Sequence, residues 1–509
     1  MKMNKTLYRI FLLLSFLALN GLILFGISSA LTYLNTGADR TSMLHLHEEI
    51  SASYLPKVEW EIAQNEGRPM EEQTLGEIER DYMSAWQVRN AAYANNVPYG
   101  IADYYTDSMR TELFKVTDLN LKNKVTLQTT TLEHYPKLEF YSTDGKLVVL
   151  TDKSVAAYEE VYQNETLITK RRFTSDYKVM LLLEDGFWRI RQLVETKLPK
   201  ETPKIPSQVQ NLDNYHFKGI NYYPQDTPWD MFGKKFNDSI IELDFKLMAK
   251  MGVNSLRIFI PYESFGKEHV DFEKIQRVKL TLDIAEKNGL AIMPTLFDFY
   301  GNYSVSDWTM TNRHIEQVVE ALKDHNAIIA WDVKNEPDLD FESRGKELVL
   351  SWLEQTVERI RKIDQKHAIT IGWSSPEAAV NLKDELDLVS FHYYREASKF
   401  QNVLAKLKED VTDKPLILQE YGYSSYDGIW NAYTGSDKKQ KEYVETIQKV
   451  VEKEGLSHMI WTLYDFKNIP TSVVGRLPWR KVRQRHFGLL DFKGDKKPIY
   501  KVFTNSEKK

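Results

Sequence analysis

From His216 towards the C-terminus, short apolar runs alternate with longer amphipathic stretches, and no other feature restricts the fold as strongly. The runs are FKGINYY, SLRIFI, AIMPTLF, IIAWDV, AITIGW, LDLVSFHYY, PLILQEY and HMIWTLY. Between them lie stretches such as SIIELDFKLMAKMG, FEKIQRVKLTLDIAEKNG and LSWLEQTVERIRKI, in which apolar residues recur every three or four positions. That is the period of a helix with one buried face, whereas the short runs are of strand length and apolar throughout. Eight such pairs over about 290 residues predict an α/β fold, a (β/α)8 TIM barrel. A doubly wound open sheet is the structural rival, but no glycine-rich phosphate loop follows any of these strands.

The 509 residues exceed one ordinary domain, and the segment before the barrel reads differently. Ile10–Leu34 is an uncharged, mainly apolar run of 25 residues behind Lys2, Lys5 and Arg9. It predicts an N-terminal transmembrane helix within residues 1–37, with the rest of the chain extracytoplasmic. Ser28-Ser29-Ala30 keeps a cleaved signal peptide, and so secretion, as the alternative. Residues 38–196 begin with helical patterning around Leu75, Ile78, Tyr82, Ala85 and Trp86. Alternating strand-like runs follow, with Asp144-Gly145 and Asp185-Gly186 where hairpins turn. Helices before an antiparallel sheet make a small α+β domain. Its closing LLLEDGFWRIRQL hairpin resembles the last strands of the NTF2-like superfamily. With no convergent set of acids, bases or histidines visible, it is expected to be a non-catalytic module, a site for a protein partner. Residues 197–211, KLPKETPKIPSQVQN, read as a stiff Pro-rich linker, and 212–509 as the barrel domain.

A net charge of −5 with both signs interspersed argues against nucleic-acid binding. The absence of cysteine excludes disulfides, thiolate metal sites and a cysteine nucleophile. His45, His47 and Glu48 form the one dense His/acid cluster, but no second ligand pair stands at zinc-like spacing. Neither a metal nor another cofactor is expected.

In a barrel, functional groups sit at the C-terminal ends of strands. Strand two carries Arg257, strand four ends in Asn335-Glu336-Pro337, strand six in His392-Tyr393-Tyr394, strand seven in Glu420, and strand eight carries Trp461. Glutamates ending strands four and seven face each other across the mouth. Glycoside hydrolysis needs two carboxylates flanking one bond, one protonated and one ionised. The fixed charge of Arg257 favours the ionised form of one, and burial against aromatic rings the protonated form of the other.

With AWDVKNEP, SFHYY, PLILQEYG, IWTLYDF and the closing HFGLLDFKGDKKPIY in this order, residues 216 to 505 resemble the retaining glycoside hydrolases of clan A. The likeness is greatest to family 5, the cellulase and mannanase family. The resemblance implies Glu336 as general acid/base and Glu420 as nucleophile. It implies that Asn335 binds the sugar 2-hydroxyl, that Arg257 supports the nucleophile, and that His392 and Tyr394 orient the carboxylates. Trp461 would floor the sugar at the cleavage point. Family members often carry a histidine just after strand three, where this chain has Phe297 and Asp298. Asp298 is a candidate for binding a sugar hydroxyl or for capping its loop.

Tyr222, Tyr223, Trp229, Tyr300, Trp308, Trp373, Tyr423, Tyr426 and Trp430 crowd the expected rim, and about half should be structural. Tyr223 is counted among the substrate-binding candidates. After strand eight, Arg476, Arg480, Lys481, Arg483 and Arg485 fall within ten residues. They read either as a solvated face or as an attractor of an anionic polysaccharide or lipid. The expected activity is retaining hydrolysis of a β-linked polysaccharide or oligosaccharide, glucan or mannan in type. Transglycosylation and catalytically silent carbohydrate binding are the alternatives.

Overall fold

The structure, a computed structural model, describes residues 14–16, 18–27, 54–62, 65–209, 212, 215–428 and 435–505. Eight parallel strands close a barrel. In order they are Lys218–Asn221, Ser255–Pro261, Ala291–Asp298, Ala330–Asn335, Ala368–Trp373, Val389–Tyr393, Leu416–Tyr421 and Ser457–Trp461. Each falls within or beside one of the eight apolar runs, because both faces of a barrel strand are buried and the whole strand must be apolar or internally paired. Helices such as Asp238–Lys250, Phe272–Lys287 and Lys346–Ile363 cover the outside. Two of them start with a side-chain cap: Asn237 accepts from the Ile240 N–H, and Asp271 from those of Glu273 and Lys274.

The two ends of the barrel differ in chemistry. Its N-terminal end is plugged by Phe217, Met293, Ala330, Ala368, Leu388, Ile417 and Met459, five of them on barrel strands and Phe217 and Leu388 one residue ahead of theirs. Above that apolar layer the interior turns polar, with Asn221, Arg257, Asp332, Thr370 and Ser390 all fully buried. Polar groups concentrated at one end have to satisfy one another, which fixes their orientation.

The N-terminal module carries helices Glu72–Asn95, Ile101–Tyr104 and Asp107–Lys122 ahead of a mainly antiparallel sheet. Its longest strands, Leu147–Gln163 and Thr166–Glu184, pair along almost their whole length. Asp185 and Gly186 both have positive φ (53° and 83°), as the tight turn joining Thr166–Glu184 to Phe187–Glu195 requires. Asn164 and Glu165 make a similar turn that the sequence reading did not mark. Part of the expected linker joins this sheet, since Lys200–Glu201 pairs with Phe173 and Thr174.

The module is seated on the barrel helices that follow strands three and four, Trp308–Leu322 and Lys346–Ile363. Tyr158 packs on Trp308 with ring centroids 4.2 Å apart, and Leu132 and Tyr158 belong to the barrel's own apolar cluster. Glu133, nearly buried, accepts from Arg359 and from Lys362 at 2.6 Å, while Arg172 pairs with Glu354 at 2.9 Å and with Glu358. Burial raises the Glu133 pKa, but the cations of Arg359 and Lys362 outweigh it and pull the group down to about 2. This contact buttresses the helices behind strand four.

The expected membrane-anchoring helix over Ile10–Leu34 is corrected: among the described residues, no helix is long and apolar enough to cross a membrane. The longest described helical piece there, residues 18–27, reaches roughly 15 Å at about 1.5 Å per residue, about half of a bilayer's hydrocarbon core. The remainder of that run, Ser28-Ser29-Ala30 and the His45/His47/Glu48 cluster lie outside the described residues.

Candidate active site

Strand four ends at Asn335, and Glu336 follows in the left-handed region with φ 46° and ψ 51°. Its N–H donates to Gly372 O at 2.7 Å, and Pro337 starts a short 3-10 turn. A non-glycine residue held there costs about 1–3 kcal/mol, which the surrounding contacts must offset. The result is a carboxylate aimed over the barrel mouth. Trp229 and Phe299 also have positive φ, and both line the same cavity as Glu336.

Arg257 organises the site from below. It donates from Nε and Nη2 to Asp332 Oδ2 (2.8 and 2.6 Å), from Nη2 to Asn335 Oδ1 (3.0 Å), and from Nη1 to Asn221 Oδ1 (3.1 Å) and Glu420 Oε1 (2.5 Å). Burial alone would lower the Arg257 pKa, but the carboxylates of Asp332 and Glu420 beside it raise it. Asp332 is equally saturated, accepting also from Thr295 Oγ1 at 2.7 Å and Gly372 N at 2.9 Å. A buried charge pair is stable only when completed in this way.

Glu420 accepts a second bond from Tyr394 Oη at 2.8 Å. The Tyr394 hydroxyl is pushed well above its usual pKa by burial and by the Glu420 charge, so it remains a donor. His392 bridges the two glutamates: Nδ1 stands 2.9 Å from Glu336 Oε1 and 3.6 Å from Glu420 Oε2, and Nε2 is 3.2 Å from Gln419 Oε1. Burial lowers the His392 pKa, yet the carboxylates of Glu420 and Glu336 reverse this, and the net direction is upward. Gly372 is required beside this network, because a Cβ there would stand 2.5 Å from Gln419 Oε1 and 2.8 Å from Arg257 Nη2.

A cavity of about 600 Å³ opens over the two carboxylates. Asn335, Glu336, Tyr394, Glu420, Trp461 and Asp298 all line it. Trp461 lies 5.7 Å from Trp229 and 6.1 Å from Phe259 between ring centroids, forming an aromatic floor. The peptide bond between Trp461 and Thr462 is cis. Of the sequence candidates, Arg257, His392 and Tyr223 are buried behind the lining. Arg257 meets the lining through Glu420 and Asn335, and His392 through the two glutamates. Tyr223 stacks on Phe259 at 5.0 Å and places its hydroxyl 3.4 Å from Asp298 Oδ2. A larger depression of about 880 Å³, lined by residues such as Gln225, Lys235 and Lys467, contains none of these groups.

The expected aromatic rim is mostly absent from the cavity. Tyr222, Tyr300, Trp308 and Trp373 are buried, Tyr423 packs on Tyr443, Tyr426 packs on His486, and Trp430 lies outside the described residues. Phe259, Phe299 and Phe487 line it instead, with Arg480 and Arg483. The sequence reading also passed over Asp332 and Asn221. A carboxylate inside the apolar run IIAWDV was the available signal, because it demanded a buried partner.

Glu336, His392 and Glu420 each offer one ligand atom within 4.8 Å of the others, the one such metal-capable group among the described residues. A cation there would lie beside the Arg257 guanidinium, and the carboxylate oxygens already accept from Arg257, Tyr394 and His392, so the arrangement fits a carboxylate pair better than a metal centre.

The module holds a second cluster that contradicts the expectation of no convergent groups there. His134 Nδ1 lies 2.6 Å from Asp152 Oδ2, Tyr82 donates to the same oxygen at 2.9 Å, and His134 Nε2 is 2.8 Å from Thr131 Oγ1. Tyr82, His134 and Asp152 are each 0% exposed.

Residues 215–467 match the family model described as Cellulase (glycosyl hydrolase family 5). β-Glucuronidase of Chlorocebus aethiops is 26% identical over 290 residues, covering 53% of this chain and 42% of that protein. Mannan endo-1,4-β-mannosidase A of Emericella nidulans is 25% identical over 268 residues, covering 41% of this chain and 67% of that one. The chain spans less than half the length of the β-glucuronidases it matches. Among solved structures, the exo-β-1,4-mannosidase Op5Man5 from Opitutaceae bacterium strain TAV5 superposes with a TM-score of 0.48 at 18% identity, over 56% of this chain and 58% of that one.

Proposed function

Because this barrel is that of a clan A glycoside hydrolase of the family 5 kind, retaining and specific for β-linked sugars, we propose that it cleaves a β-linked glucan- or mannan-type chain by double displacement. In this reading Glu420 attacks the anomeric carbon while Glu336 protonates the departing oxygen. A glycosyl ester on Glu420 forms, and Glu336, now a carboxylate, takes a proton from water as that water breaks the ester.

The observation that carries the reading is the spacing of the pair: carboxylate oxygens of Glu336 and Glu420 lie within 4.8 Å of each other. Retaining enzymes hold their carboxyl groups about 5–5.5 Å apart, whereas inverting ones need roughly 6.5–9.5 Å to admit a water. The surroundings support the division of labour. Arg257 and Tyr394 donate to Glu420 and hold its carboxylate in place beside the cavity. His392 holds one oxygen of Glu336 and leaves the carboxyl group facing the cavity. Asn335 gives its oxygen to Arg257, which leaves the amide nitrogen as a donor to the sugar.

The test is hydrolysis of cellohexaose, mannohexaose and their uronate counterparts by the full chain and by its Glu420→Gln and Glu336→Gln variants. The reading expects each variant to lose roughly 10³-fold or more in kcat on the hexamer that the wild type cleaves. Retention of activity within tenfold in Glu420→Gln contradicts it. Products longer than the starting hexamer would move the reading to transglycosylation on the same residues.

A further inference from the structure

Trp86, in the core of the N-terminal module, touches two basic side chains of different standing. The first is His134, whose ring centroid is 5.4 Å from that of Trp86 and whose two nitrogens face Asp152 and Thr131. The second is Arg89, on the same helix as Trp86, with its Cζ over the Trp86 ring at 3.9 Å from the centroid. Its Nε is enclosed and has no hydrogen-bond partner, and among the described residues no carboxylate pairs with the guanidinium. Arg89 is half-buried, and Nε alone of its three nitrogens is both enclosed and unbonded, so Nη1 and Nη2 turn to the open side.

A guanidinium drawn part-way out of water without a counter-charge is costly. The cation–π contact with Trp86 offsets part of that cost and supplies no hydrogen bond. The acids of this region are engaged elsewhere. Asp152 accepts from Tyr82 at 2.9 Å and faces His134, Glu195 accepts from Ser175 at 2.6 Å, and Glu159 accepts from Arg171 at 3.0 Å. Two half-buried tyrosines flank the group: the Tyr93 ring centroid is 5.9 Å from Arg89 Cζ, and Tyr177 stands edge-on to Trp86 at 5.3 Å. Aromatic walls lower the local dielectric and strengthen any ion pair made between them.

We propose that Arg89, over Trp86 and beside Tyr93 and Tyr177, binds the carboxylate of a small organic acid, which gives the module a ligand site of its own. The N–H edge of a guanidinium matches a carboxylate with two parallel charged bonds. One guanidinium balances one negative charge, so a carboxylate is matched whereas a phosphate dianion leaves charge uncompensated. Sugar acids and aromatic acids both carry this group on a ring that can lie against the tyrosines. The site is independent of the glycosidase reading.

Full-length protein labelled with 5-fluorotryptophan tests this, with the fluorine resonance of Trp86 assigned through Trp86→Phe and calorimetry run in parallel. The probes are glucuronate against glucuronamide, benzoate against benzamide, and inorganic phosphate. At least one carboxylate is expected to shift the Trp86 resonance at an about tenfold lower concentration than its amide twin, with the advantage shrinking as salt is added. Arg89→Gln should abolish the preference. Arg89→Lys keeps the charge over Trp86 but loses the fork, so it should weaken the preference, and it serves where the first variant folds poorly.

A response to glucuronate alone identifies a sugar acid as the ligand, and one to benzoate alone an aromatic acid. No preference for either carboxylate over its amide overturns the proposal, as does a preference that survives Arg89→Gln. Phosphate binding at least as tightly as both carboxylates also overturns it.

Discussion

Two clusters in this protein combine a histidine, a carboxylate and a tyrosine, and they differ in what lies beside them. In the barrel, His392, Glu420 and Tyr394 adjoin a cavity of about 600 Å³, with Glu336 as a second carboxylate. In the module, His134, Asp152 and Tyr82 are enclosed by Trp86 and the sheet, and all three are 0% exposed. Both sets are closely hydrogen-bonded and both hold a tyrosine well above its usual pKa through burial and a neighbouring carboxylate. In the reading proposed above, a set of titratable groups becomes chemistry only where a strand end opens it to a substrate. In a closed sheet the same set serves to hold the fold, because each group satisfies another that would otherwise be buried unpaired.

The sharpest way to break this comparison is to delete both histidines in separate variants. His392→Ala is expected to lower kcat/KM by about 10²-fold, since it takes away the hydrogen bond that holds Glu336 and the positive group beside Glu420. His134→Ala should leave kcat/KM within about twofold while lowering stability by about 1–3 kcal/mol, because Asp152 and Thr131 lose a buried partner. Steady-state kinetics beside denaturant unfolding reads both outcomes, and an activity loss in His134→Ala would end the distinction.

A smaller effect is expected from Gly372→Ala, whose added Cβ would press on Gln419, Arg257 and His392. Overpacking of this kind costs about 1–3 kcal/mol, seen as a lower Tm, with kcat falling further than the Tm shift alone explains. An unchanged Tm would show that the polar network has more room than the geometry allows.

Glu133→Gln tests whether the module supports the barrel. It removes the charge that meets Arg359 and Lys362 at the contact between the two regions. A loss of about 1–3 kcal/mol is expected, with kcat little changed; full stability would mean that the two regions are only loosely coupled. The Glu133 pKa is depressed in the fold, so this contribution is present above the unfolded carboxylate value and disappears as pH falls towards about 2.

The smallest effect is the pH dependence at His392. Its pKa is raised in the folded protein, so its stabilisation is complete below the unfolded value near 6.5 and is lost as pH rises through the higher folded value. Tm measured against pH should therefore fall more steeply on the alkaline side in the wild type than in His392→Gln. Parallel curves would contradict the assignment.

The barrel was legible because its signal is local. Eight apolar runs reached both faces of eight strands, and Asn335-Glu336 and Glu420 had to sit at strand ends. The lining was not legible, because loop residues reach the mouth through contacts distant in sequence. Trp308 and Trp373 are aromatic yet turn into the packing beneath the loops, whereas Phe259 and Phe487 reach the cavity. Local charge density in the loop after strand eight did not reveal that Arg480 and Arg483 turn inward, since that depends on where Pro478–Gln484 packs. His134 and Asp152 meet only because the strand Leu147–Gln163 bends back past the one that ends at His134. The N-terminal run gave a misleading signal: composition alone suggested a span that no described helix attains.

The most direct test of the central claim is to trap the covalent intermediate. The wild-type chain is incubated with 2-deoxy-2-fluoro-β-glycosyl fluorides of the gluco, manno and corresponding uronate series, and the adduct is located by peptide mass mapping. The account predicts a single glycosyl ester on Glu420, absent from the Glu420→Gln variant. An adduct on Glu336 or another side chain, or release of α-configured product from a β-linked hexamer, would contradict it.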